Sequence, residues 1–200
     1  MKETITDVLK TFMNALQDDL HTSLPGRIES YDAGSRTASI VPQMKKRYQA
    51  GEVLALPVIH NVPVQFPASG EASFSFPLKK GDEGWIMFSE RSIDEWMDSG
   101  QAELPEDSRR FALDDAVFIP GTFSRKKTRA GSSNGVVAEF KKTKLEILEK
   151  EVVISFGGLT SIKFSESGGM EITHAGGKYS ALSHLHNDAE QRPTTTPLPI

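Results

Sequence analysis

Residues 136–186 read VVAEFKKTKLEILEKEVVISFGGLTSIKFSESGGMEITHAGGKYSALSHLH. Short runs within this stretch alternate apolar with polar side chains: Leu145/Ile147, Val152/Ile154/Phe156, Ile162/Phe164 and Met170/Ile172/His174. A period of two puts one set of side chains on one face of a strand. Glycine pairs at 157–158, 168–169 and 176–177 separate the runs and give the backbone freedom to turn. No proline lies between Pro120 and Pro193, although the chain has 11, so nothing interrupts backbone pairing here. The stretch predicts a series of short strands joined by tight turns.

Each such strand offers only two or three apolar side chains. That is too little burial to offset backbone entropy in an isolated meander. Cover must come either from a lid supplied by the preceding domain or from copies of the same segment wound into a shared rod, apolar faces inward. The second solution fits the intervening Lys144, Glu146, Glu149, Lys163, Glu166 and Glu171, which would form a charged outer wall. The expectation is an intertwined oligomer; the alternative is an ordinary antiparallel sheet ending a single globular domain.

The rest of the chain sets bounds on function. Two hundred residues suit one large domain or two small ones. A net charge of −4 argues against nonspecific nucleic-acid binding, which needs a basic footprint. The absence of cysteine rules out a disulfide framework, a thiol nucleophile and a Cys-based zinc site. No run approaches the roughly 20 apolar residues of a membrane span, and the N-terminus lacks the apolar core of a secretory signal.

Residues 1–23 predict an amphipathic helix. Ile5, Leu9, Phe12, Leu16 and Leu20 recur at spacings of three and four, and Thr4 with Asp7 forms a capping-box pattern. The stripe can pack on its own domain, on a partner or on sister chains. Its acidic polar face (Asp7, Asp18, Asp19) argues against a membrane-surface role. Residues 24–121 predict a compact β domain. It begins with a hairpin through Asp32-Ala-Gly-Ser, followed by strands at Val53–Ile59, Phe74–Phe76, Glu83–Phe88 and Asp115–Pro120. A short helix at Ser92–Trp96, with a second capping-box pattern (Ser92, Glu95), precedes the last strand. This order is compatible with a Greek-key barrel of the OB type. Residues 122–135, polar, basic and rich in Gly and Ser, read as the linker to the strand array of 136–200.

Ser183-His184-Leu185-His186 is the sharpest chemical feature. On a strand, His184 and His186 point the same way. Two imidazoles cannot fill a coordination sphere, whereas three chains meeting on an axis would offer six, and several first-row divalent ions accept that set. His174 lies on an alternating apolar face and can be a packed residue; His21 and His60 have no visible constellation. The motifs G-x-S-x-G, H-E-x-x-H, G-x-x-x-x-G-K and G-x-G-x-x-G are absent, so no enzyme activity is expected. Asp94/Glu95 and Asp114/Asp115 are sequence neighbours and read as solvated surface. Lys45–Arg47, Arg125–Lys127 and Lys141/Lys142 read as solvated faces or as electrostatic docking points for a partner.

The order of these segments resembles the central spike, or membrane-puncturing, proteins of contractile-tailed bacteriophages. The resemblance rests on Leu24-Pro-Gly-Arg-Ile-Glu-Ser-Tyr, Ile40-Val-Pro through Lys45-Lys-Arg-Tyr, and Leu56-Pro-Val. It continues through Phe74-Ser-Phe-Pro-Leu-Lys-Lys-Gly-Asp-Glu, Phe88-Ser-Glu-Arg-Ser-Ile-Asp-Glu-Trp and Asp114-Asp-Ala to Ile119-Pro-Gly. It implies a mainly β chain: an N-terminal helix, an OB-fold barrel, then an intertwined trimeric β-helix spike with a metal-capped tip. It also implies one iron ion per homotrimer, held by His184 and His186 of three chains. Residues 187–200 would then fold around or back along the apex. The implied partners are a baseplate hub protein and the host outer membrane, with no nucleic acid, and the implied location is the virion's tail baseplate tip. An OB-fold module binding oligosaccharide or nucleic acid, a cell-wall hydrolase using a carboxylate pair, and the spike tip of a related contractile secretion apparatus are the competing readings.

Overall fold

The structure, a computed structural model, describes residues 4–47, 51–175 and 177–180. The chain divides into two compact units, Met1–Arg129 and Ala130–Ile200.

The first unit opens with helix α1, Ile5–Asp19. Its capping box forms: the Asp7 N–H donates to Thr4 Oγ1 at 3.3 Å, and the Thr4 N–H donates to Asp7 Oδ2 at 3.0 Å. Its stripe (Ile5, Leu9, Phe12, Leu16) is exposed in the single chain rather than packed on the unit.

Strands β1 (Ser23–Asp32), β2 (Thr37–Pro42), β3 (Lys45–Arg47), β4 (Val53–Ala55), β5 (Ile59–Pro63), β6 (Glu83–Phe88) and β7 (Ala116–Pro120) come next. Five of them form an antiparallel sheet in the order β5-β2-β1-β6-β7. Just past β5, Val64 bridges Phe118 of β7 in parallel, and the Gln65 N–H donates to the Phe118 carbonyl at 2.9 Å. The two ends of the sheet therefore meet, and the sheet curls into a half-barrel. Register shifts between Ile28 and Ser30 and between Ala38 and Ile40 supply bends. Ile28, Ile40, Ile86 and Phe118 are fully buried at its centre. Gly84 is required where β6 meets β7, because a Cβ there would lie 2.4 Å from the Ile119 carbonyl oxygen and 2.5 Å from the Phe118 ring.

Three sequence expectations need correction in this unit. The apolar run Val53–Ile59 is not one strand: Pro57 divides it, with β4 pairing β3 in a separate ribbon and β5 joining the sheet. Phe74–Phe76 is not a strand. Flanked by Pro67 and Pro77, it is irregular, and its rings cluster with Phe66 at 5.1 Å (Phe66–Phe76) and 6.3 Å (Phe74–Phe76). Helix α2, Asp94–Ser99, has no capping box; Ile93 occupies the N-cap without a side-chain bond. The Ser92 and Glu95 side chains bond instead to Arg109 and to the Glu106 N–H.

The second unit holds β8 (Val136–Phe140), β9 (Thr143–Ile147), β10 (Glu151–Phe156), β11 (Thr160–Ser165), β12 (Gly169–His174) and β13 (Gly177–Ser180). They pair strictly in sequence order as an antiparallel meander. Gly157 and Gly158, at φ +62° and +79°, make the β10–β11 turn that the glycine pair predicts. All pairing seen here is within one chain; a β-helix shared by three chains is not shown.

Candidate functional site

Register assembles the side chains of the second unit into rows. Val136, Ile147, Val152, Phe164 and Met170 stand opposite one another across five strands. Ala138, Leu145, Ile154, Ile162, Ile172 and Tyr179 form the next row on the same face, across all six strands. Phe140, Thr143, Phe156, Thr160 and His174 lie on that face one step further on. His174 Nδ1 lies 3.1 Å from Thr160 Oγ1, so this row becomes polar at its end. The opposite face carries Glu139 and Lys144, then Glu146, Val153, Lys163 and Glu171. Lys144 pairs with Glu146 at 2.7 Å, and Lys163 lies 3.5 Å from both Glu151 and Glu171. Glu149 and Glu166, expected on this wall, lie instead in the turns after β9 and β11.

The sheet is thus apolar on one side and charged on the other. No described residue of 130–180 is buried, and Phe140, Ile147, Phe156, Phe164 and Tyr179 are each 45% exposed or more. At a strand spacing of ~4.8 Å and a rise of ~3.4 Å per residue, six strands of about five residues give a face of roughly 400–500 Å².

His184 and His186, predicted to hold the metal, lie outside the described residues. Among the described residues, no group of three or more His, Asp or Glu gathers as a metal site. His60 Nδ1 lies 3.0 Å from Ser39 Oγ, and the His21 ring packs on Phe88 at 5.6 Å.

Sequence reading missed Arg109. Asp94 and Asp115, which read in the sequence as surface carboxylates, are both tied to it. Its Nε donates to Asp115 Oδ2 at 2.9 Å and its Nη2 to Ser92 Oγ at 3.0 Å; Nη2 also pairs with Asp94. Asp115 is fully buried and also accepts from the Ile93 N–H at 3.1 Å. The carboxylates of Asp115 and Asp94 hold the guanidinium proton more tightly than usual. Glu95 accepts from the Glu106 N–H at 2.9 Å. These contacts tie α2 and the following loop to β7. They form an architectural knot in which Asp115 and Asp94 both face the Arg109 guanidinium, while the second carboxylate oxygen of Glu95, Oε2, is buried without a hydrogen-bond partner among the described residues. Of the basic runs, Lys127 pairs with Glu83 at 2.9 Å while the Ser124 N–H donates to the same carboxylate at 2.8 Å. Lys127 first and Ser124 second pull the Glu83 pKa down to about 2.

Residues 24–121, the span of the half-barrel and its loops, match the family model of the phage protein Gp138 N-terminal domain. The match supports a phage protein family and points to a structural protein of the virion. No curated protein matches the chain.

Proposed function

We propose that the chain is the central spike of a contractile phage tail, working as a homotrimer that pierces the host outer membrane mechanically when the sheath contracts. The half-barrel is an OB-type domain that joins the spike to the baseplate hub. The observation that carries this reading is the uncovered apolar face of the second unit. A patch of roughly 400–500 Å² equals the largest that monomers ordinarily expose, and such patches mark interaction sites. Packing three such faces about one axis supplies the missing core and turns the Lys163–Glu151–Glu171 ladder outward.

Chain direction supports the same reading. The meander advances by one strand, ~4.8 Å, at each hairpin, always in the same direction. The sheet therefore grows steadily from β8, which follows the connection, to β13, which ends four residues before His184 in the sequence. At the apex, His184 and His186 of three chains would give six imidazoles to an axial iron ion. Such a site would add metal-binding free energy to folding.

The test is native mass and metal content of one purified sample, repeated for His184→Ala/His186→Ala. A trimer with about one metal ion per particle, lost in the double variant, is expected. A metal-free trimer would remove the iron site and keep the spike. A monomer would overturn the reading.

A further inference from the structure

We propose that, within the trimer suggested above, neighbouring copies of the first unit dock head to tail, the β3–β4 ribbon of one lying on the surface around α2 of the next. The ribbon pairs Lys45–Arg47 with Val53–Ala55 and forms a sheet of its own, without strand pairing to the half-barrel. A two-stranded ribbon has little stability alone and gains from a surface to rest on. It presents Met44, Val53 and Leu54 at 50%, 48% and 52% exposure beside the exposed bases Lys45 and Arg47.

The α2 surface has the complementary character. Residues 92–108 contain Asp94, Glu95, Asp98, Glu103, Glu106 and Asp107 and neither lysine nor arginine. Asp94 and Asp107 turn to Arg109, which fixes the segment, while Asp98, Glu103 and Glu106 stay exposed. Among them stand Trp96, Met97 and Leu104 at 57%, 48% and 89% exposure. A large aromatic and two aliphatic side chains inside an acidic rim match aliphatic side chains inside a basic one.

The occupant is a second copy because this chain carries both halves of the match. Two different patches meeting between identical chains make a heterologous contact. Such a contact closes into a ring when each step turns by a third of a circle. The half-barrels would then be held by one another as well as by the spike.

The absence of cysteine makes the test clean. Val53→Cys with Leu104→Cys in the full chain, mildly oxidised, is expected to give covalent dimers and trimers, and neither single variant should do so. Adding Lys45→Glu and Arg47→Glu should cut the yield about tenfold, and adding Asp98→Lys and Glu103→Lys to those should restore it. Native mass of the same samples separates the two readings. A trimer without the covalent ladder, a ladder from a single variant, or a yield indifferent to charge reversal overturns the docking alone. A monomer overturns both docking and trimer.

Discussion

Ile162 is the residue at which cover of the apolar face can be tested most sharply. It stands in the middle row of the sheet, opposite Ile154 on β10 and Ile172 on β12, and is mostly buried in the single chain. Full burial of such a side chain is worth about 1.5–3 kcal/mol, and only a minor part of Ile162 remains open, so covering it stabilises each chain by ~0.5 kcal/mol. Ile162→Ala removes that from three chains, ~1.5 kcal/mol per proposed trimer, which raises its dissociation constant about tenfold. Ile162→Asp goes further, because each carboxylate carried into the packed face costs several kcal/mol. The trimer should fall apart. Ser161→Asp, one residue away on the charged face, should leave assembly unchanged. Sedimentation equilibrium across a dilution series reads all three variants. If Ile162→Asp sediments like the unaltered protein, the apolar face is not the assembly surface and the proposed spike loses its core.

Three further outcomes concern the first unit. Arg109→Ala strands the fully buried Asp115 with only the Ile93 N–H, and breaking a buried pair in this way costs about 3–5 kcal/mol. The loss should appear as a lower urea midpoint by Trp fluorescence, while the exposed neighbour Arg110→Ala shifts stability by less than about 0.5 kcal/mol. Gly84→Ala forces a Cβ against the Ile119 carbonyl, and overpacking of about 1–3 kcal/mol should lower Tm by at least ~5 °C. Gly70→Ala, which meets open space, should melt like the parent. Glu83 binds its proton less readily when folded, so its bonds to Lys127 and Ser124 stabilise fully above its ordinary pKa of 4.5 and are lost as pH falls towards about 2. An NMR titration of the Ser124 amide should show a midpoint near 2 that Glu83→Gln abolishes; a midpoint above 4 in the parent would refute the contact.

The second unit was legible because its signal is local. Alternation, paired glycines and the missing proline each act within a few residues, and a meander needs nothing else to fix its order. Register then determines which residues share a face, and alternation alone placed Ile154, Ile162 and Ile172 together. The first unit was less legible because its decisive contacts are distant in sequence. Ser92 and Glu95 satisfy a local capping rule, yet Arg109 and the Glu106 N–H claim their side chains from 17 and 11 residues away. Asp115 looked like surface beside Asp114 because burial of a carboxylate depends on a guanidinium that no local pattern announces. Phe74 and Phe76 alternate like a strand, but pairing stops at the Ala68–Ser73 bridge and the Phe74 N–H bond to the Pro67 carbonyl between Pro67 and Pro77, and the rings pack instead, Phe76 on Phe66 and Phe74 on Phe76. The matched phage domain and the predicted OB order rest on the same residues, whereas the apex histidines rest on sequence alone.

The proposed metal has a physical place in this scheme, set by where the sheet runs out. Burial per strand depends on having a neighbour on both sides, and β10 and β11 have one on each side. β13 is short, four residues, and pairs only with β12; its Tyr179 is 57% exposed even though it belongs to the central apolar row. Covering that row with two further chains would bury the Tyr179 ring but would still leave the outer edge of β13 without a strand to pair with among the described residues. A spike that must not fray at its leading end therefore needs, beyond β13, an interaction that does not scale with buried area. Coordination by imidazoles from three chains is of that kind, since it acts at a point, joins the chains directly and favours the folded trimer over separate chains. His184→Ala/His186→Ala should accordingly leave the apolar face assembled and loosen only β13 and the chain beyond it. Hydrogen exchange should then quicken at Lys178–Ser180 and remain unchanged across β10 and β11. Equal loss of protection along the whole sheet would mean instead that the metal, not the apolar face, holds the trimer together.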